Sequence, residues 1–155
     1  MPFYSSLLSE LPGIEHAFLN VTESRCFDPD ISVGVHQIHG SEVFCFNDNS
    51  MITFANQTEA DTIFTSLQGM PINIVTADCI PLLLSSIDGE CIAVVHAGWR
   101  GIISGVIQNC LRQFNANYTS SSDIIVAGGP HIMSCCYEVS SDFMISLLSS
   151  DMVKK

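Results

Sequence analysis

The sequence predicts an α+β fold with a mixed or antiparallel sheet and helices outside it. Short apolar runs typical of strands are mixed with two helical segments, and little of the chain shows the strict strand–helix alternation that parallel sheets require. Asp88-Gly89, a dipeptide typical of hairpin turns, separates two of the apolar runs. That turn favours antiparallel pairing of the two strands it joins.

Length and composition predict one soluble domain over residues 1–155. Of the 155 residues, 47% are apolar and 14% are charged, which excludes disorder as the main state. Sixteen acidic side chains against five basic ones give a formal net charge of −11. A nucleic-acid groove is excluded, because phosphate neutralisation needs clustered Lys and Arg.

The seven cysteines predict a reducing compartment. Their number is odd, none forms a C-x-x-C pair, and several lie in apolar stretches where a free thiol acts as a small hydrophobe. We expect the adjacent Cys135 and Cys136 to serve packing. The N-terminus has no secretory signal, and no apolar run approaches the ~18–20 residues that span a bilayer. We therefore expect a cytoplasmic protein with no membrane partner.

Apolar runs bounded by turn formers predict the strands. The first 35 residues give only weak signals, and residues 47–50 read as a turn. The runs Ile72–Val75 and Ile80–Leu84 predict one strand interrupted by a polar island at residues 76–79. The other predicted strands cover residues 42–46, 91–97 and 123–127.

Two helices are predicted. Apolar residues recur at helical spacing between Gly101 and Phe114, followed by a polar loop over residues 115–122. Ser140 or Ser141 can cap a final helix. Its predicted buried side carries Phe143, Met144, Leu147 and Leu148.

Three polar islands interrupt apolar sequence, at residues 37–40, 76–79 and 96–101. They contain His39, Cys79 and His96, and imidazole and thiolate are ligands that Zn²⁺ prefers. Three protein ligands with an open fourth position would make a catalytic site. The long separations along the chain leave a core thiol as the alternative for Cys79.

Four further residues are candidates for chemistry. Asp61 and Asp78 lie beside apolar sequence, where desolvation would suit a general acid or base; the alternative for Asp61 is that it caps or turns the chain. Trp99 could be a stacking wall or a core residue. Arg100, next to a predicted helix start, is a candidate anion ligand in this acidic chain.

Four segments, QIHGSEVF, ADTIFTSLQGMPINIVTADCIPLLL, IAVVHAGWRGIISGVI and GGPHIMSCCYEV, carry a family resemblance between residues 37 and 139. Together they resemble the multicopper polyphenol oxidase (laccase) domain family. Bacterial members are also described as purine nucleoside phosphorylases and as peptidoglycan editing factors. Family chains are usually longer, so the resemblance implies that the family's C-terminal segment is absent here.

The resemblance implies a four-layer α/β/β/α fold and zinc bound by His39, Cys79 and His96, with copper also proposed in the family. It implies phosphorolysis of adenosine, inosine and methylthioadenosine, and deamination of adenosine. The partners would be a purine nucleoside and phosphate.

We expect Arg100 and the turn amides to hold phosphate, while Asp78 or Asp61 protonates the departing purine. Gln37 and Trp99 are expected to contact the substrate, and Cys79 to take part in catalysis through the metal.

Two other readings remain open. Cys79 as nucleophile and His96 as base would make a cysteine hydrolase or amidase for peptidoglycan precursors. A short chain could also be an inactive remnant or a binding module. A copper oxidase is disfavoured, because five histidines are too few for a multicopper centre. An unpaired sheet edge would favour a homo-oligomer.

Overall fold

A mixed five-stranded sheet is the centre of the described structure. The structure is a computed structural model that describes residues 1–24, 31–117 and 123–149. The strand order is β1-β2-β4-β3-β5, with β1 parallel to β2 and every other neighbouring pair antiparallel. The strands are β1 Val43–Phe46, β2 Thr62–Thr65, β3 Ile80–Ser86, β4 Ile92–Ala97 and β5 Ile124–Gly128. The predicted α+β class with a mixed sheet is confirmed.

Five α-helices and one 3₁₀ helix surround the sheet in the residues described. The 3₁₀ helix Asn49–Gln57 connects β1 to β2. The α-helices are α1 Ser6–Ser9, α2 Val21–Ser24, α3 Trp99–Ser104, α4 Val106–Asn117 and α5 Ser141–Ser149. Among the helices described, none has both the length and the apolar character needed to cross a membrane.

Both faces of the sheet are buried. On one face, Phe64 and Val95 pack against Val106, Cys110 and Phe114 of α4. On the other face, strand residues pack against the 3₁₀ helix and the segment before β1. The buried members of this second cluster are Val33, Phe44, Phe46, Ala55, Ala60, Ile63 and Val94.

Double-sided burial explains the strand that the sequence did not predict. All four residues of β2 are buried, so their side chains show no alternation of polar and apolar types. The predicted strands at 42–46, 80–84, 91–97 and 123–127 correspond to β1, β3, β4 and β5. The turn at Asp88-Gly89 joins β3 to β4, and Gly89 supplies the positive φ of 74°.

The single helix predicted over residues 101–114 is wrong. Gly105 adopts φ 88°, and its N–H donates to the carbonyls of Gly101 and Ile102, which ends α3. The apolar spacing continues across this break because α4 starts at the next residue. The prediction of an interrupted strand is also wrong, because residues 72–75 contribute only a bridge between Ile72 and Val33.

The ends of two other predicted segments differ. Residues 49–50 begin the 3₁₀ helix rather than completing a turn, and residues 115–117 are helical, while 118–122 lie outside the described residues. Ser140 caps α5, since its Oγ accepts the N–H of Phe143 at 3.1 Å. Phe143 is half-buried as predicted, as is Leu147, but Met144 and Leu148 are exposed.

The strand register brings three separate parts of the chain together at one end of the strands. Thr62, the first residue of β2, pairs with Val95 near the end of β4. Ile80, the first residue of β3, pairs with Ala97, the last residue of β4. The residues that precede β2 and β3 therefore lie beside the end of β4.

Candidate metal centre

Two imidazoles and one thiol meet at this end of the strands. One ligand atom from each of His39, Cys79 and His96 lies within 4.8 Å of the others. The two imidazole rings are 4.7 Å apart between centroids and nearly perpendicular, at 78°. His96 is buried, Cys79 is half-buried and His39 is exposed, so the cluster is accessible to solvent at His39.

Asp61 ties two of these residues together. Its carboxylate is fully buried and accepts the backbone N–H groups of Ile38, His39 and Gly40 at 3.2, 2.9 and 2.7 Å. The same carboxylate accepts a hydrogen bond from His96 Nδ1 at 2.7 Å. One side chain thus fixes the His39 loop against the strand that carries His96.

The Asp61 contact also selects the tautomer of His96. A carboxylate only accepts hydrogen bonds, so the proton of the neutral ring resides on Nδ1. Nε2 then keeps its lone pair and is available as a ligand atom. This carboxylate–histidine pairing is the usual support of a metal-bound imidazole.

The backbone at His39 is strained into the left-handed region. His39 has φ 60°, a conformation that costs a residue with a side chain roughly 1–2 kcal/mol. It belongs to the turn whose successive N–H groups converge on Asp61, as in an anion-binding nest. The hydrogen bonds to the buried carboxylate offset the strain.

Gly98, which has no side chain, leaves room beside the three donor residues. A Cβ at this position would lie 3.1 Å from Cys79 Sγ, 3.2 Å from His39 Cδ2 and 3.9 Å from His96 Cε1. Its φ of −76° is open to any residue. The absence of a side chain is therefore required by the neighbouring donors and not by the backbone.

The donor set fits a divalent metal ion. A tetrahedral zinc ion with bonds of about 2.0–2.3 Å separates its ligand atoms by about 3.3–3.7 Å. The outermost pair of the present donors needs to approach by only about 1 Å to reach that geometry. The arrangement is compatible with metal binding, and two imidazoles with one thiolate suit zinc and other borderline-soft ions.

Burial raises the pKa of the Cys79 thiol, and the negative charges of Asp78 and Asp61 raise that pKa further. These influences disfavour a free thiolate in the absence of a cation. A bound metal ion reverses them, since its charge favours the thiolate.

The remaining predicted residues lie at the border of the cluster or serve its loops. Asp78 is exposed, has φ 75°, and its carbonyl accepts the N–H of Ile132 at 3.0 Å. The side-chain amide of Gln37, which is expected to contact substrate, pairs with the backbone of Val75. Its Nε2 donates to the Val75 carbonyl and its Oε1 accepts the Val75 N–H, both at 2.8 Å.

Trp99 and Arg100 follow Gly98 and are both exposed. The Arg100 guanidinium lies 4.7 Å from the centroid of the Trp99 ring, a cation–π distance. Phe143 of α5 meets the same ring edge-to-face at 4.8 Å. The sequence did not reveal this contact, because residues 99 and 143 belong to different elements.

The sequence of the chain matches a known protein family. The family described as multi-copper polyphenol oxidoreductase laccase matches residues 14–154, nearly the whole chain. The chain belongs to this family. The match extends beyond the 37–139 region in which the sequence motifs were found.

Two curated relatives are longer than this chain. A protein of Rickettsia conorii named purine nucleoside phosphorylase is 32% identical over 121 residues, or 78% of this chain and 48% of the relative. A protein named adenosine deaminase RL5, from an unknown prokaryotic organism, is 30% identical over 74% of this chain and 46% of its own. The chain spans about half the length of these curated relatives.

A solved structure supports the same relationship. YlmD from Geobacillus stearothermophilus superimposes with a TM-score of 0.66 and 28% identity, covering 83% of this chain and 50% of that one. The fold described above is therefore the fold of roughly half of the solved protein.

Replacing Asp61 by Asn should lower the free energy of unfolding by about 1–3 kcal/mol. An amide NH₂ in place of Oδ2 faces the N–H groups of Ile38 and Gly40, and in place of Oδ1 it faces the N–H of His39. Either orientation leaves a backbone donor without its acceptor. Urea unfolding measures the loss.

Asp48→Asn is the matched control. Asp48 caps the 3₁₀ helix from an exposed position, where Asn is an equally good cap. Its free energy of unfolding should stay within about 0.5 kcal/mol of the wild type. Equal stabilities of the two variants would contradict the central position given to Asp61.

Proposed function

We propose that this chain acts as a zinc-dependent purine nucleoside phosphorylase, with adenosine deamination as a second activity. The convergence of His39, Cys79 and His96 on one point, with Asp61 behind them, is the observation that carries the proposal. The names of the relatives supply the reaction class. The proposed substrates are adenosine, inosine and methylthioadenosine, together with phosphate.

The metal ligands would be His39, Cys79 and His96, the latter through Nε2. When bound, zinc supplies Lewis-acid chemistry: it acidifies water and attracts oxyanions. Copper in place of zinc is compatible with the imidazole donors. A site with three protein ligands leaves a further position for a small molecule.

Arg100 would attract phosphate to the open side of the site. Among the residues that the structure describes, Arg100 and Arg112 are the only Lys or Arg side chains. An exposed guanidinium two residues after Gly98 would concentrate phosphate where a protein of net charge −11 otherwise repels it. Trp99, oriented by Phe143 and Arg100, would stack against the purine.

The two carboxylates take different roles. Asp78 is exposed immediately before Cys79 and is the candidate to protonate the departing purine. Asp61 is fully buried, and all its side-chain hydrogen bonds described above are accepted ones. We therefore assign Asp61 to positioning rather than proton transfer, and Gln37 to holding the loop that carries His39.

Cys79→Ala tests the proposal. Loss of one of three ligands should lower zinc affinity by more than the ~10–100-fold typical of outer-shell substitutions, and phosphorolysis should fall with it. Zinc content is measured on untagged protein, and turnover with adenosine and phosphate at defined zinc concentrations. Cys45→Ala, at a half-buried thiol of β1, should keep both properties.

The same experiment separates the proposal from a binding module. Zinc-dependent turnover by the wild-type chain supports an enzyme, whereas stoichiometric zinc without turnover indicates a remnant that only binds. Undiminished zinc content and turnover in Cys79→Ala would overturn the assigned site.

Gly98→Ala should weaken zinc binding by about 10–100-fold while leaving the fold intact. The new methyl group would lie 3.1 Å from Cys79 Sγ and must push donors apart, although the backbone accepts alanine. Gly128→Ala is the control, because its Cβ would meet only Leu82 at an ordinary 3.8 Å. Equal zinc affinities in a competition titration would rule out this steric explanation.

A cysteine hydrolase is the second candidate. The side chains of Asp61, His96 and Cys79 could act in turn as an orienting carboxylate, a base and a nucleophile. Peptidoglycan-precursor amides would be its substrates. The raised pKa of Cys79 opposes this candidate, because a nucleophilic cysteine needs a readily formed thiolate.

Alkylation distinguishes the two candidates. A zinc-bound Cys79 should resist iodoacetamide until a chelator removes the metal, and mass spectrometry of the peptide containing residue 79 reports the modification. Rapid alkylation of Cys79 in the zinc-loaded protein, together with loss of an amidase activity, would instead favour the hydrolase.

A further inference from the structure

Cys135 and Cys136 do not serve packing, contrary to the prediction from sequence. Both side chains are exposed, and both thiols are free. Their sulfur atoms are 3.5 Å apart and share a hydrogen bond. The chain therefore presents two adjacent thiols to solvent, outside the donor cluster described above.

A short turn holds the two thiols in this arrangement. The N–H groups of Cys136 and Tyr137 both donate to the carbonyl of Met133, at 2.9 and 3.1 Å. The N–H of Ile132, the residue just before this turn, donates to the carbonyl of Asp78 at 3.0 Å. The turn is thus closed by its own hydrogen bonds and attached to the body of the protein.

The sulfur separation suits chelation better than oxidation. A disulfide requires about 2.05 Å between the sulfurs and rarely forms without strain between adjacent residues. Two thiolates bound to one tetrahedral ion at about 2.3 Å lie about 3.8 Å apart. The observed 3.5 Å is close to this second value, and thiolates select soft ions.

We propose that Cys135 and Cys136 form a chelating site for one soft, thiophilic trivalent arsenic centre. The site is separate from His39, Cys79 and His96, and it does not depend on the proposed enzymatic function. With an organic arsenic(III) oxide, two S–H bonds break and two As–S bonds form. The oxide oxygen leaves as water with the two thiol protons, so no oxidant or reductant is needed.

The test uses reduced, zinc-loaded full chain and phenylarsine oxide, with the adduct followed by intact mass spectrometry. Wild-type protein should retain one arsenical in the presence of excess monothiol and lose it to a dithiol competitor. Cys135→Ser and Cys136→Ser should each bind about 10²–10⁴-fold more weakly, because the second As–S bond is no longer intramolecular. Both side chains are exposed, so the serine variants should fold normally.

Cys45→Ser is the matched control and should retain the adduct. Burial raises the pKa of Cys45 and raises that of Cys110 to about 12, so neither thiol competes well for the reagent. Retention of the arsenical by Cys135→Ser or by Cys136→Ser would overturn the proposal. So would loss of the wild-type adduct on zinc loading, since that result would place the arsenical at Cys79.

Discussion

The carboxylate of Asp61 links the loop that carries His39 to the strand that carries His96. It is removed from water, yet it accepts three backbone N–H groups and one imidazole N–H. Burying a carboxylate without such donors costs several kcal/mol, which is why the surrounding backbone is arranged around it. The strained φ of His39 and the tautomer of His96 both follow from satisfying this one group.

The sheet places Asp61 where it can act in this way. Because β2 and β3 both run antiparallel to β4, the starts of β2 and β3 lie beside the end of β4. Asp61 immediately precedes β2, Cys79 immediately precedes β3, and His96 lies near the end of β4. The backbone N–H of His96 also donates to the Asp61 carbonyl at 2.8 Å. Strand pairing and side-chain positioning thus support one another.

The sequence predicted the strands whose composition is typical of strands. It also offered His39, Cys79 and His96 as a possible metal set from their residue types, and the family resemblance implied the same three residues. It did not predict β2, because burial on both faces removes the alternation that marks a strand. It did not predict the break at Gly105, because the apolar spacing passes through a left-handed residue without interruption. Such features depend on contacts between distant segments.

The same limit applies within the site. Asp61 could be recognised as a carboxyl group beside apolar sequence, but its acceptor role depends on where residues 38–40 and 96 lie in space. Gly98 lies in a recognisable motif, whereas its purpose is evident only from the distances to Cys79 and His39. Nor does the sequence show that the Gln37 side chain pairs with the backbone of Val75.

A crystal of untagged protein measured on both sides of the zinc absorption edge gives the most direct view of this centre. We expect one anomalous peak within bonding distance of His96 Nε2, Cys79 Sγ and an imidazole nitrogen of His39, with Asp61 still bonded to His96 Nδ1. A fully reduced crystal grown with zinc that shows these three side chains bound to no ion would contradict this expectation.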